Sequence, residues 1–197
     1  MRLWFAAVRP FALLLVVTVL GLGLGLLHGR KAAVPSISLG TLTEAPLVAV
    51  FALIPAIGIV MGVQRIPAQL LILSVRPIGL AAIVLVVAAF AVVFAGAMVT
   101  SSWHGALEIT RNVVGLFGMA VLGRAVFAEA GQVLFPVAFL LLCFLFGRSL
   151  GELMPNTWAW ALHDGTAVPA IGQALVWGVL GLAIVPRLPA FSLRHGS

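Results

Sequence analysis

The sequence predicts an all-α, polytopic membrane protein, with a single transmembrane domain over residues 1–197 and about six spans. It is 63% hydrophobic and 8% charged, whereas an average soluble domain is about 25% charged. A soluble chain of this length could not bury so much apolar surface. The apolar segments are long and continuous rather than alternating, which favours membrane helices over the strands of a barrel.

A bilayer core about 30 Å thick is crossed by about 20 helical residues. The runs that meet or approach this length are 11–27, 46–63, 77–99, 112–126, 133–147 and 167–185. Arg2 and Arg9 make the first run resemble a signal peptide, but further spans follow, so we interpret it as a retained helix. The fourth run is the weakest because Arg111 and Arg124 bound it, although both can snorkel toward the interfaces.

The charges between these runs predict the orientation. With a cytoplasmic N-terminus, the inner loops carry seven basic residues and Glu129: Arg2, Arg9, Arg65, Arg76, Arg124, Arg187 and Arg194. The outer loops then balance four basic residues against four acids: Arg30, Lys31, Arg111 and Arg148 against Glu44, Glu108, Glu152 and Asp164. Positive charge favours the cytoplasmic side, so both termini are predicted there.

Three segments outside the spans are predicted to form short elements. Residues 3–8 predict an interfacial helix with Arg2 and Arg9 on one face, or an ordinary basic N-terminus. Residues 66–75 carry Pro67 in a favourable first-turn position. They predict a cytoplasmic helix that docks onto a partner protein, or the start of the third span. Residues 148–167 are tryptophan-rich and too polar to cross, so they predict interfacial or re-entrant helices at the outer face.

The sequence contains no recognisable catalytic machinery. A phosphate-binding Gly-Lys-Ser/Thr loop is absent, and Lys31 is the only lysine. Spans one, two, three, five and six carry no acidic or basic residue in their interiors, which favours an apolar or amphipathic substrate over a small ion. The one polar group that could act as an enzyme site or bind a metal is on the predicted outer side: His104, Glu108, His163 and Asp164.

This layout of six spans, an N-terminal connecting helix, a cytoplasmic helix after the second span and interfacial helices before the last resembles the permease subunit of ABC exporters of the ABC-2 type. The stretches 110–116 and 158–160 are also similar to actinobacterial permeases. The resemblance covers the whole chain, but 197 residues is short for that family. The resemblance implies a dimer of two permeases, and the short chain suggests that the second permease could be a different one.

The resemblance implies a bacterial plasma-membrane permease driven by a separate ATP-binding subunit, which would hold the ATP and Mg. No cofactor is expected in this chain, and its other expected partners are membrane lipids and not nucleic acid. The segment 66–75 would then be the coupling helix, with Arg65, Pro67, Gln69, Ser74 and Arg76 as ATPase-coupling residues. Trp4 and Arg9 would anchor the connecting helix, and the predicted substrate path is Phe51, Met61 and Phe90.

Two other functions remain open at this point. One is a small integral membrane enzyme that uses the outer-face group of His104, Glu108, His163 and Asp164. The other is an accessory subunit of a larger membrane complex, which would associate tightly with its partners without depending on residues 66–75.

Overall fold

The computed structural model describes residues 10–64, 78–148 and 155–187. Its principal elements are five helices and a β-hairpin. They are α1 Pro10–Leu27, β1 Lys31–Ser36, β2 Thr41–Pro46, α2 Leu47–Gln64, α3 Ile78–Thr100, α4 Trp103–Phe146 and α5 Val168–Ile184. Short 3-10 helices cover Trp160–Leu162 and Val185–Arg187.

The helical membrane class predicted from the sequence agrees with this structure. Four helices, α1 to α4, are long and apolar enough to cross a membrane. The predicted fourth and fifth spans both lie within α4, which has 44 residues and an internal bend. The predicted sixth span forms α5, a shorter apolar helix of 17 residues.

The bend in α4 lies at Phe127 and Ala128, whose backbone angles are not helical. Ala128 has φ 57°, in a region that residues with a side chain rarely adopt. The first arm (103–126) and the second arm (129–146) then fold back along each other. Gly123 and Gly131 lie backbone against backbone beside the bend, where a side chain on either would collide with the other.

Helices α1 and α3 pack tightly because small residues face each other. Gly21 lies against the backbone of Val93, and Gly25 lies against Thr100. The hydroxyl of Thr100 donates to the carbonyl oxygen of Leu22 at 2.9 Å. Small residues at four-residue spacing permit this close approach in membrane helices.

The β-hairpin between α1 and α2 was not predicted. Its strands are antiparallel, and Gly40 in the connecting turn has φ 63°. The backbone N–H groups of Ile37 and Ser38 both donate to the carbonyl oxygen of Leu145, at 3.0 and 3.2 Å. The turn of the hairpin therefore lies against the end of the second arm of α4.

The described residues form polar contacts at two ends of the helix bundle, which we call the hairpin end and the bend end. At the hairpin end, the Arg148 guanidinium donates to the carbonyl oxygen of Glu44 at 2.6 Å, and Lys31 pairs with the Glu44 carboxylate at 2.9 Å. At the bend end, the side-chain amide of Gln64 donates to that of Gln132 at 2.9 Å.

Within the described part of the chain, the charged residues predicted for the outer loops lie at one end and those predicted for the inner loops lie at the other. The hairpin end holds Arg30, Lys31, Glu44, Glu108, Arg111, Arg148 and Asp164, and the bend end holds Arg124 and Glu129.

The predicted interfacial helix 3–8 and the predicted cytoplasmic helix 66–75 lie outside the described residues. Of the third predicted segment, 148–167, Arg148 and residues 155–167 are described. Residues 155–167 hold the three-residue 3-10 helix Trp160–Leu162 between turns and extended backbone, so the interfacial helices predicted for this segment are not confirmed.

Candidate functional site: an aromatic groove beside a buried arginine

Arg111 is a buried charged residue whose guanidinium makes four hydrogen bonds. It is only 6% exposed. Its guanidinium donates to the carbonyl oxygens of His163 and Asp164, each at 2.7 Å. It also donates to the side-chain oxygen of Asn112, at 3.2 and 3.3 Å. The planar fork of an arginine suits several acceptors at once, so Arg111 fixes the segment before α5 to the first arm of α4.

Glu108 lies one helical turn before Arg111 and contacts the end of α1. Its carboxylate is 3.8 Å from the ring nitrogen Nδ1 of His28. The ring of His28 also lies against Gly105, where a side chain would collide with it. The site therefore includes His28, which the sequence analysis did not single out because its neighbours are remote in the chain.

Among the described residues, the side chains of His104, Glu108, His163 and Asp164 make no hydrogen bond or ion pair with one another, although Glu108 and Asp164 are close enough to interact electrostatically. Asp164 and His163 meet Arg111 through backbone oxygens, and the His163 ring instead bonds the carbonyl oxygen of Asn156 at 3.0 Å. Within residues 10–64, 78–148 and 155–187, no three His, Cys, Asp or Glu side chains are placed to hold a metal ion. The contacts of Glu108 and Arg111 join the end of α1, the first arm of α4 and the segment before α5.

Trp160 lies next to this network and fills the space between the two arms of α4. It is 1% exposed and stacks on Phe139, with ring centroids 5.3 Å apart and an angle of 23° between the planes. The six-membered edge of the indole lies against Gly115, where any side chain would collide with it. The indole N–H has no hydrogen-bond partner among the described residues. Buried donors of this kind are uncommon in folded proteins.

A groove of about 760 Å³ opens beside Trp160, between the two arms of α4 and the first half of α5. Its volume lies within the range of about 300–1,000 Å³ typical of small-molecule sites. Gln173 and three indoles supply its side-chain polar groups, and none of the described residues that line it is ionisable. The walls are formed by Met119, Phe135, Ala138, Phe139, Leu142, Trp158, Trp160, Pro169, Gly172, Gln173, Val176 and Trp177.

The predicted substrate-path residues lie elsewhere. Phe51 and Met61 are on the outer surface of α2, at 39% and 47% exposure. Phe90 packs edge-on against Phe117, with centroids 5.2 Å apart, inside the helix bundle. None of the three lines the groove. The groove residues are missed by sequence reasoning because they come from three separate segments, although the tryptophans of 158–160 indicate an interfacial position.

The residues predicted to couple to an ATPase all lie outside the described ranges, as do those predicted to anchor the connecting helix. They are Arg65, Pro67, Gln69, Ser74 and Arg76, and Trp4 and Arg9.

Comparison with known proteins identifies no relative: no family model, no curated protein and no solved structure matches the chain. The similarity to exporter permeases therefore rests on the layout of the sequence.

Proposed function

We propose that this chain is the membrane-spanning subunit of an ATP-driven exporter of the ABC-2 type, which moves an apolar or amphipathic substrate such as a drug, a peptide or a lipid-like molecule. The observation that best supports this proposal is the groove beside Trp160. Apart from Gln173, the described residues of its walls are aromatic and aliphatic, and none of them is ionisable. A small ion would find few compensating groups there, whereas an apolar body would be well solvated.

In this proposal the chain crosses the bacterial plasma membrane six times. The two arms of α4 and the helix α5 supply the fourth, fifth and sixth crossings, with the bend end and both termini on the cytoplasmic side. The hairpin end then faces outward. A separate subunit binds ATP and Mg, and a second permease, the same or different, completes the pathway.

The energy would enter through residues 66–75, and closure of the ATP-binding subunits would move the spans that follow. Arg65 and Arg76 flank this segment and would contact the partner. Because their charges are on the cytoplasmic side in this arrangement, reversing them should weaken association with the ATPase without changing the outer half of the protein.

The test is purification of the tagged chain from its native host in mild detergent, with mass spectrometry of co-purifying proteins and an ATPase assay. We expect an ATP-binding subunit in the wild-type preparation and its loss when Arg65→Glu and Arg76→Glu are combined. The matched control reverses two charges at the other end, Arg30→Glu with Lys31→Glu, both of which are exposed. This control should retain the partner.

A chain that purifies without any ATP-binding protein would overturn the proposal. Equal loss of the partner in both double variants would contradict the coupling role of residues 66–75, because the effect would then depend on net charge and not on the position of the charges.

A further inference from the structure

We propose that the groove beside Trp160 binds one acyl chain of a membrane phospholipid from the leaflet at the hairpin end, as a resident lipid held in a fixed place. This goes beyond transport, since the site would be occupied whether or not the chain moves a substrate. The argument depends on the depth of the groove, the distribution of its polar groups and the space left open at Gly172.

The depth of the groove corresponds to one leaflet. Along α5 its wall runs from Pro169 to Trp177, and along the second arm of α4 from Phe135 to Leu142. Eight residues of helix rise about 12 Å, and half of a bilayer core is about 15 Å. The groove occupies the half of α5 next to the hairpin end, so an acyl chain entering there would extend to about the bilayer midplane.

The polar groups near the groove are arranged for an amphiphile with its head at the hairpin end. Arg111 and the backbone of residues 163–164 lie on that side, and Trp158, in the groove wall, is 41% exposed. Trp177 and Phe135, with ring centroids 6.3 Å apart, form part of the wall nearer the midplane. Tryptophan prefers the level of lipid head groups, whereas the deeper wall is suited to hydrocarbon.

A further feature is open space in the groove wall. Gly172 lines the groove, and a Cβ added there would meet no atom within 4 Å. The space in front of Gly172 is therefore available to a ligand and can be filled by a larger residue without a backbone clash.

The experiment compares Gly172→Phe, which fills the groove, with Gly58→Phe on α2. Gly58 is a matched control because a Cβ there also meets no atom within 4 Å, yet Gly58 does not line the groove. Each full-length chain is reconstituted in vesicles of phosphatidylethanolamine and phosphatidylglycerol whose acyl chains are brominated, which quench nearby tryptophans. Native mass spectrometry of the detergent-purified chains then counts the lipids retained.

We expect wild type and Gly58→Phe to retain one phospholipid per chain and to show strong quenching, including a component from the buried Trp160. Gly172→Phe should retain at least about tenfold less lipid, equivalent to about 1.4 kcal/mol of binding free energy, and should lose that component. Cys143, which is 0% exposed, should resist alkylation equally in all three chains if they are folded. Gly172→Leu replaces the phenylalanine variant if the latter fails this folding check.

Equal lipid retention in Gly172→Phe and Gly58→Phe would overturn the proposal, as would retention by neither wild type nor control. Retention of a different amphiphile from the native membrane, displaced by Gly172→Phe, would also overturn it and would identify the groove as a site for cargo. None of these outcomes depends on an ATP-binding partner, so the lipid proposal can fail while the exporter proposal stands, and the reverse.

Discussion

Arg111 and Arg124 are both buried in the first arm of α4, at 6% and 8% exposure, but they have different surroundings. At the hairpin end, Arg111 donates to two backbone carbonyls of a segment more than fifty residues further along the chain. At the bend end, the Arg124 guanidinium is 3.7 Å from the carboxylate of Glu129, whose side chain is 86% exposed. Similar burial therefore coexists with different roles: Arg111 joins distant segments, whereas Arg124 pairs locally across the bend.

The largest effect should come from Arg111→Leu. The substitution leaves the carbonyl oxygens of residues 163 and 164 and the side-chain oxygen of Asn112 without their donors. Hydrogen bonds to a charged group contribute about 1.5–3 kcal/mol each and are not additive. We expect the free energy of unfolding to fall by about 3 kcal/mol, which corresponds to a decrease in Tm of roughly 6–12 °C for a chain of this size. Thermal unfolding in a mild detergent measures this change.

Cys143 allows the same variant to be tested locally. Its thiol is buried in a small cluster with Ala159 and Leu162, in the segment that Arg111 holds. In Arg111→Leu this segment should separate from α4 more often, and a maleimide should alkylate Cys143 faster at a temperature well below the Tm. A lower Tm with unchanged alkylation would show that the loss of stability arises elsewhere and would contradict the role assigned to Arg111.

A smaller effect is expected from Arg111→Lys, which separates the contribution of charge from that of geometry. The ammonium keeps the positive charge near Glu108 but lacks the planar fork that reaches both carbonyls and Asn112. We expect about half the loss of stability of the leucine variant and intermediate alkylation of Cys143. If lysine restores wild-type behaviour, electrostatic attraction alone holds the segment, and the hydrogen-bond account is wrong.

The difference between these two ends also shows which features could be predicted from sequence. The helices of the spans follow from local apolar runs, and the loop charges correctly predict that Arg111, Glu108 and Asp164 lie at one end. Their partners could not be predicted in the same way. The sequence suggests a cluster of acidic and histidine side chains, whereas Arg111 binds backbone oxygens, which every residue possesses.

The groove and the hairpin could not be predicted from the sequence because both depend on contacts between segments that are far apart in the chain. The wall of the groove combines residues from both arms of α4, from residues 158–160 and from α5, so no single stretch has a distinctive pattern. The hairpin strands carry Pro35 and Pro46, which are unfavourable in central strands but tolerated where a hairpin has only two edges. Its position depends on bonds to Leu145, more than a hundred residues away.

The smallest effect is expected at the bend end and is best measured as a double-mutant cycle of Arg124→Leu and Glu129→Gln. Exposed ion pairs contribute about 0–1 kcal/mol because water and salt screen them, and the Glu129 side chain is almost fully exposed. The coupling energy between the two substitutions should therefore be below about 1 kcal/mol and should decrease further in 1 M salt. Neither variant should change alkylation of Cys143, which lies toward the hairpin end. The coupling energy could instead be comparable to the loss of unfolding free energy in Arg111→Leu. Arg124 would then stabilise the bend as strongly as Arg111 stabilises the segment before α5, and the proposed difference between the two arginines would be wrong.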